Sequence, residues 1–370
     1  MAARADRRVY VLHRWMGLAA GLLLFVIGMT GVGVVFRDDL DAWQFRRMLR
    51  VEPTGTGIDL DGAFAAVRAA RPTARLFGTE LPRERHRALP FIVVEAGRYS
   101  AVVVDPYRAK VVGEYHQNDS IATVLLFLHY TLLFSPWGET AVALSGVVLF
   151  ASGLTGLWVY RRSLVKPFRR GVRWRRGLRR FSKDLHLLAG VGAVLFNLLM
   201  AVTGFWMLLD VFTPEHYRLD RTATPPNAPV ATSFTKAVAT ARAALPGFAP
   251  TGIYTPAAPG EPITVTGSVP DTPFWLGGSD GLGRSRVEID AATGAVVHAV
   301  DIRKAAGAEQ FDVAMGELHF GQYGGLPVKL LYAVLGLTPG ILSITGFVLW
   351  LARRRRVTAA EPARIRTREA

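Results

Sequence analysis

Four histidines stand at the start of apolar stretches: His13 in LHRWMGLAAGLLLFVIGMTG (12–31), His129 in LHYTLLFSPWG (128–138), His186 in LHLLAGVGAVLFNLLMAVTG (185–204) and His319 in LHFGQYGG (318–325). Each is preceded by Leu, and each stretch runs on to a Thr-Gly pair. His13 to Thr30 is 17 positions, as is His186 to Thr203; His129 to Thr155 is 26, as is His319 to Thr345. An ionisable group inside a membrane is costly and marks a functional site by default. Two imidazoles facing each other between helices are a suitable axial pair for haem iron, or two of the ligands of a zinc ion, which takes further ones. The chain has no cysteine. That excludes covalent c-type haem and cysteine-bound iron–sulfur clusters and leaves two non-covalent b-type haems as the cofactors to expect.

The elements that must position these histidines are readable from composition. Half of the 370 residues are hydrophobic and the mean hydropathy is positive, too apolar for an ordinary soluble chain. Four runs of about 20 apolar residues suit membrane-crossing helices: residues 11–36, 139–160, 185–209 and 328–352. Arg7 and Arg8 precede the first run, but the uncharged stretch from Trp15 to Phe36 is longer than a signal peptide core, so it reads as an uncleaved anchor.

Of the 44 Lys and Arg residues, 22 fall in three short segments: residues 1–14, the loop from Arg161 to Lys183 and the tail after Leu351. The positive-inside rule therefore puts both termini and the central loop in the cytoplasm. The net charge of +15 is mostly this topology signal and calls for anionic lipid, not nucleic acid, as partner. With this orientation His13 and His186 meet at the inner side, and His129 and His319 at the outer side.

The chain then divides into a cytoplasmic N-terminus and first span (1–36), an external domain (37–118), an interfacial helix and second span (119–162), and a basic loop (163–184). The third span (185–209), a second external domain (210–310), an interfacial helix and fourth span (311–352) and a cytoplasmic tail (353–370) follow. Each half is helix, external domain, helix, so the fold expected is a membrane α-helical protein of four spans in two parallel repeats. In the external domains IDLDGAFAAVRAARP (58–72) and SFTKAVATARAALPG (233–247) have helical periodicity. Strands are expected around 91–95, 98–106 and 110–115, and around 263–267, 286–294 and 295–301. VVVDPYRAKVV and VEIDAATGAVV each place an Asp in a turn between strands. A helix against a small antiparallel sheet is the expectation for each domain.

These features together resemble the PepSY-associated transmembrane proteins: Leu-His opening a membrane helix, Thr-Gly closing it, and an external helix-and-hairpin domain with a turn such as Asp290-Ala291-Ala292-Thr293-Gly294. The resemblance spans about residues 7 to 356, although Asp105-Pro106-Tyr107-Arg108 departs from the turn pattern. It implies a bacterial inner-membrane protein with PepSY-like external domains. It also implies a transmembrane haem-dependent reductase that takes electrons from a cytoplasmic or quinol donor to a periplasmic ferric siderophore or other ferric chelate.

Gly31 lies 18 positions after His13, five helical turns along the same face. Gly31 and Gly204 are thus expected to flank the outer haem, and Gly156 and Gly346 the inner one, where a glycine lets a porphyrin approach the backbone. Close helix packing through small residues explains the same glycines equally well. His116 and His216 read as polar surface groups, and His86 and His298 have no supporting context. Trp15, Trp43, Trp137, Trp158, Trp206 and Trp350 suit aromatic belts, and GGSDGLG (277–283) reads as a loop. Two other function classes remain open. One is a membrane-anchored binding or regulatory module; the other is a metal transporter, disfavoured by span cores without carboxylates.

Overall fold

The computed structural model describes residues 2–54, 57–82, 84–218, 227–256, 258–278 and 284–366. In chain order, helices α1 (Ala2–Val34), α2 (Arg37–Gln44) and α3 (Leu60–Ala70) precede strands β1 (Arg75–Glu80), β2 (Leu89–Glu95), β3 (Arg98–Asp105) and β4 (Lys110–His116). Next come α4 (Ile121–Tyr130), α5 (Trp137–Tyr160), α6 (Leu178–Gly192), α7 (Val194–Trp206) and α8 (Phe234–Ala244). The chain finishes with β5 (Ala249–Tyr254), β6 (Ile263–Ser268), β7 (Ser285–Ile289), β8 (Val296–Val300), α9 (Gly307–Phe320), α10 (Gly325–Gly336) and α11 (Thr338–Arg366). These form two bodies: a helical one (Met1–Val34, Leu125–Tyr217, Leu330–Ala370) and one containing all eight strands (Val35–Val124, Arg218–Lys329).

In the helical body α1 packs against α5 and α11, α5 against α7, and α11 against α6, closing a ring of membrane-type helices. Asp6–Val35, Trp137–Tyr160 and Gly325–Arg355 are each long and apolar enough to cross a bilayer. The segment expected as the third span is instead two helices, α6 and α7, bent by 62°. The break falls at Ala193, whose φ of −111° and ψ of 9° leave the helical region. Gly190 and Gly192 just before it weaken the helix, a usual cause of sharp kinks. Small residues let the backbones close up: a Cβ on Gly28 would be 3.2 Å from the Gly336 carbonyl oxygen, and one on Gly146 3.3 Å from that of Ala201. This is how helices associate where lipid removes the hydrophobic drive. Past the kink, Asn197 and Thr338 are buried and bond to each other at 3.2 Å, so neither polar group faces hydrocarbon unsatisfied.

The sheet body differs from the two small sheets the sequence suggests. Its strands form one antiparallel sheet in the order β4-β3-β2-β1-β5-β6-β7-β8. The seam is the β1–β5 pairing, with Gly78 opposite Tyr254 and Glu80 opposite Gly252. Pairing β1 with β5 removes the two inner edges that separate sheets would leave unpaired. Gly78 has φ +145°, and a Cβ there would run into the Ile253 carbonyl oxygen, so the strands meet at a position open to glycine alone.

Two helices cover this sheet. The Asp59 carboxylate caps α3 by accepting from the Gly62 N–H at 2.8 Å, and the Ser233 hydroxyl caps α8 by accepting from the Lys236 N–H at 3.1 Å. Leu60, Ala63, Phe64 and Val67 on α3, and Phe234, Ala237, Val238 and Ala241 on α8, are buried at helical spacing. They share one core with Phe91, Val102, Ile263 and Val287 from the strands, and the rings of Phe64 and Phe234 stack at 3.5 Å. Both Asp-containing turns form as read. Asp105 accepts from the Tyr107 N–H at 2.9 Å and Asp290 from the Thr293 N–H at 2.7 Å.

Candidate functional site

His13 on α1 and His186 on α6 come together inside the helical body, their ring centroids 6.4 Å apart and their planes at 84°. The groups around each ring decide which nitrogen is free. His13 Nδ1 lies 3.1 Å from the Ser152 carbonyl oxygen and 3.1 Å from the Thr155 hydroxyl. His186 Nδ1 lies 2.8 Å from the Thr345 hydroxyl. A carbonyl oxygen only accepts, so His13 Nδ1 carries the proton. The threonines agree: Thr155 donates to the Ala151 carbonyl at 2.7 Å and Thr345 to that of Ile341 at 2.6 Å, leaving each oxygen to accept from the imidazole. Both Nε2 atoms therefore keep a lone pair. A ring N–H held by an outer partner is how metal-binding histidines are oriented.

The Thr-Gly pairs thus act as a unit across the helix interface. A Cβ on Gly156 would be 3.1 Å from His13 Cε1, and one on Gly346 would be 3.5 Å from His186 Cε1. His129, at the end of α4, repeats the arrangement with the far end of α1. Its Nδ1 lies 2.9 Å from the Ile27 carbonyl and 3.3 Å from the Thr30 hydroxyl, and a Cβ on Gly31 would be 2.9 Å from its Cε1. Thr30 donates to the Val26 carbonyl at 2.8 Å. The room that Gly31, Gly156 and Gly346 leave is taken by imidazole, where the sequence suggested porphyrin.

A cavity opens beside His13 and His186, lined by Leu18, Leu149, Leu157, Val191 and Leu342 among other residues. Its volume is about 210 Å³, far more than a single water needs. Two metal–nitrogen bonds of about 2 Å, plus ~1.1 Å from each nitrogen to its ring centre, would set coaxial imidazole centroids roughly 6.2 Å apart. The 6.4 Å between the ring centroids is close to that separation. Zinc takes three or four protein ligands, and among the described residues no group of three or more His, Cys, Asp and Glu is gathered to hold a metal. The two-histidine, apolar setting fits an iron whose equatorial ligands arrive with a cofactor.

Of the remaining expected residues, Thr203 is buried on α7 and donates to the Leu199 carbonyl at 2.8 Å, with Gly204 beside it. His319 ends α9 in the sheet body, its ring 6.1 Å from that of Phe320. His129 and His319 belong to different bodies, and their pairing rests on the sequence repeat.

His216 departs from the surface role read from sequence. Its side chain is 8% exposed, with Nε2 3.0 Å from Glu139 and Nδ1 3.0 Å from Asp210. Ser135 donates to the other Glu139 oxygen at 2.9 Å. Glu139 lies in the first turn of α5 and is buried, so one carboxylate does enter a candidate span. The signal was a Glu within an otherwise apolar segment; its partner His216 is 77 positions away and shares no motif with it. His116 bonds Ser100 at 2.8 Å at the end of β4, while His86 and His298 are exposed beside Glu52 and Glu288. Gly277 and Gly278 of the glycine-rich loop lie outside regular structure, and the rest of that loop lies outside the described residues.

A family model described as the PepSY-associated TM region matches residues 10–353, nearly the whole chain. No curated protein matches it.

Proposed function

The chain belongs to the PepSY-associated transmembrane family, and on that footing we propose that it is an inner-membrane di-haem electron-transfer protein. The supporting observation is the His13–His186 pair at 6.4 Å, each ring anchored through Nδ1 beside an apolar cavity. Haem bound there would supply one-electron chemistry whose potential the surroundings tune. His13 and His186 would hold the inner iron through Nε2. Thr155 and Thr345 fix the ring orientation, while Leu18, Leu149, Leu157 and Leu342 would shield a cofactor there from water.

His129, anchored by Ile27 and Thr30, would be a ligand of the outer iron, and the sequence repeat alone points to His319 as its counterpart. His13 and Thr30, which mark the two sites on α1, are 17 residues apart, roughly 25 Å along the axis. Both termini and the basic central loop face the cytoplasm, the two halves forming parallel repeats with PepSY-like external portions. The reaction proposed is one-electron reduction of an external ferric chelate by a cytoplasmic or quinol donor, giving Fe(II), which hard-oxygen ligands hold less tightly.

The test is the visible spectrum of protein purified from haem-replete cells. A Soret band, redox-sensitive α bands and two haems per chain are expected. His13→Ala or His186→Ala should each remove one haem and leave the other, which His129→Ala removes. Protein with no Soret band would point to the membrane-anchored binding module instead, and loss of both haems from folded His13→Ala protein would overturn the pairing.

A further inference from the structure

We propose that Arg14 and Arg353 bind the two carboxylates of the cofactor in the inner cavity, an inference that rests on the haem reading above. Both arginines line the cavity that His13 and His186 share, together with Tyr10 and Tyr160, and its lining contains no carboxylate. Arg14 Nε is buried and has no hydrogen-bond partner among the described residues. Leaving a buried cationic donor unmet costs more than a neutral one. The guanidinium of Arg353 lies 6.0 Å from the Tyr10 ring centre, and that of Arg14 5.3 Å from the Trp15 ring centre, so aromatic faces orient both without neutralising them.

Other arginines of this body behave differently. Arg161 pairs with Asp6 at 2.9 Å and Arg173 with Asp184 at 2.6 Å. Arg14 and Arg353 form no ion pair among the described residues, although the chain supplies carboxylates to their neighbours. Two unmatched guanidinium forks on the wall of an otherwise apolar cavity are suited to a flat ligand with two carboxylates, each fork binding one in bidentate fashion. A b-type haem carries two carboxylates on one edge, and two arginines neutralise both. Anionic lipid phosphate is the competing occupant, since the basic residues flanking the spans attract it.

The experiment titrates full-length apoprotein in lipid nanodiscs with haem b and with its dimethyl ester, following the Soret band. Wild-type protein should bind one of two haem b equivalents about ten- to a hundredfold more tightly than the corresponding diester equivalent, as loss of charged hydrogen bonds implies. The Arg14→Leu/Arg353→Leu double variant should lose that preference, binding both forms as wild type binds the diester. Arg14→Lys/Arg353→Lys should keep part of it. Equal binding of acid and ester by wild-type protein overturns the inference and leaves the haem reading intact, with lipid then the partner of these arginines. Failure to take up either form overturns both.

Discussion

Gly156→Ala and Gly346→Ala form a matched pair whose outcomes the geometry separates. The new Cβ at position 156 would lie 3.1 Å from His13 Cε1 and 3.6 Å from Nδ1. Carbon contacts relax near 3.5 Å, so the ring must withdraw by about 0.4 Å. Both bonds of His13 Nδ1 are already 3.1 Å long, and a shift of that size takes them to the limit at which a hydrogen bond survives. Overpacking of this kind costs about 1–3 kcal/mol, offset by the ~1 kcal/mol that alanine gains over glycine in a helix. At position 346 the Cβ would sit 3.5 Å from His186 Cε1, an ordinary contact, and only the helical gain remains.

Loss of an outer partner to a metal-binding histidine typically lowers affinity about 10–100-fold. Gly156→Ala should therefore loosen the inner haem by that factor while changing apoprotein Tm little. Gly346→Ala should leave affinity near wild type and raise Tm slightly. Soret-monitored titration and thermal unfolding of the same preparations read both quantities. Wild-type haem binding in Gly156→Ala, or equal loosening in the two variants, would mean these glycines serve only to bring helices together.

Thr345→Val removes the hydroxyl that accepts from His186 Nδ1 at 2.8 Å; inner-haem affinity should fall about tenfold or more and Thr345→Ser should restore it, with titration as the readout. Burial raises the Asp41 carboxyl above its ordinary 3.8, only partly opposed by the Ser120 hydroxyl bonded to it at 2.6 Å. A raised folded-state value means the native state holds the proton more tightly, so this group's contribution to stability falls as pH rises from 3.8 through the raised value. Asp41→Asn keeps an acceptor for Ser120, and it should flatten that dependence and leave the protein at least as stable at pH 7. Tm measured from pH 3.5 to 7 checks it, a steeper decline in the variant being the contrary result.

The Leu-His and Thr-Gly repeat was legible because its spacings recur in both halves, and along α1 helix geometry turns 17 positions into a fixed distance. Thr30, Thr155 and Thr345 each bond back to their own helix. Which threonine meets which histidine was not legible, since that depends on neighbouring helices in contact and not on spacing within one. The outer strands of the sheet body, rich in Val and Ile, were readable from their alternation. Its central pair was not: RLFGTE and APTGIY carry glycines and, in β5, a proline, and are held as strands by each other and by their neighbours. Similarly, the AGVGA sequence at the α6–α7 break reads as apolar and span-like, because hydropathy records the composition of a segment and not its direction.

The β1–β5 seam also bears on how the chain is made. Gly78 and Tyr254 are paired yet 176 residues apart, with α5, α6 and α7 between them. At about 5–20 residues per second, β1 waits roughly 10–35 s after its own synthesis before its partner exists. Throughout that interval the newborn first half presents an open strand edge, the kind of surface that recruits the wrong partner. A ribosome stalled in the central loop would release a fragment with that edge permanently uncovered. The same edge makes the two halves natural candidates for supply as separate chains, since each would arrive carrying the other's missing strand.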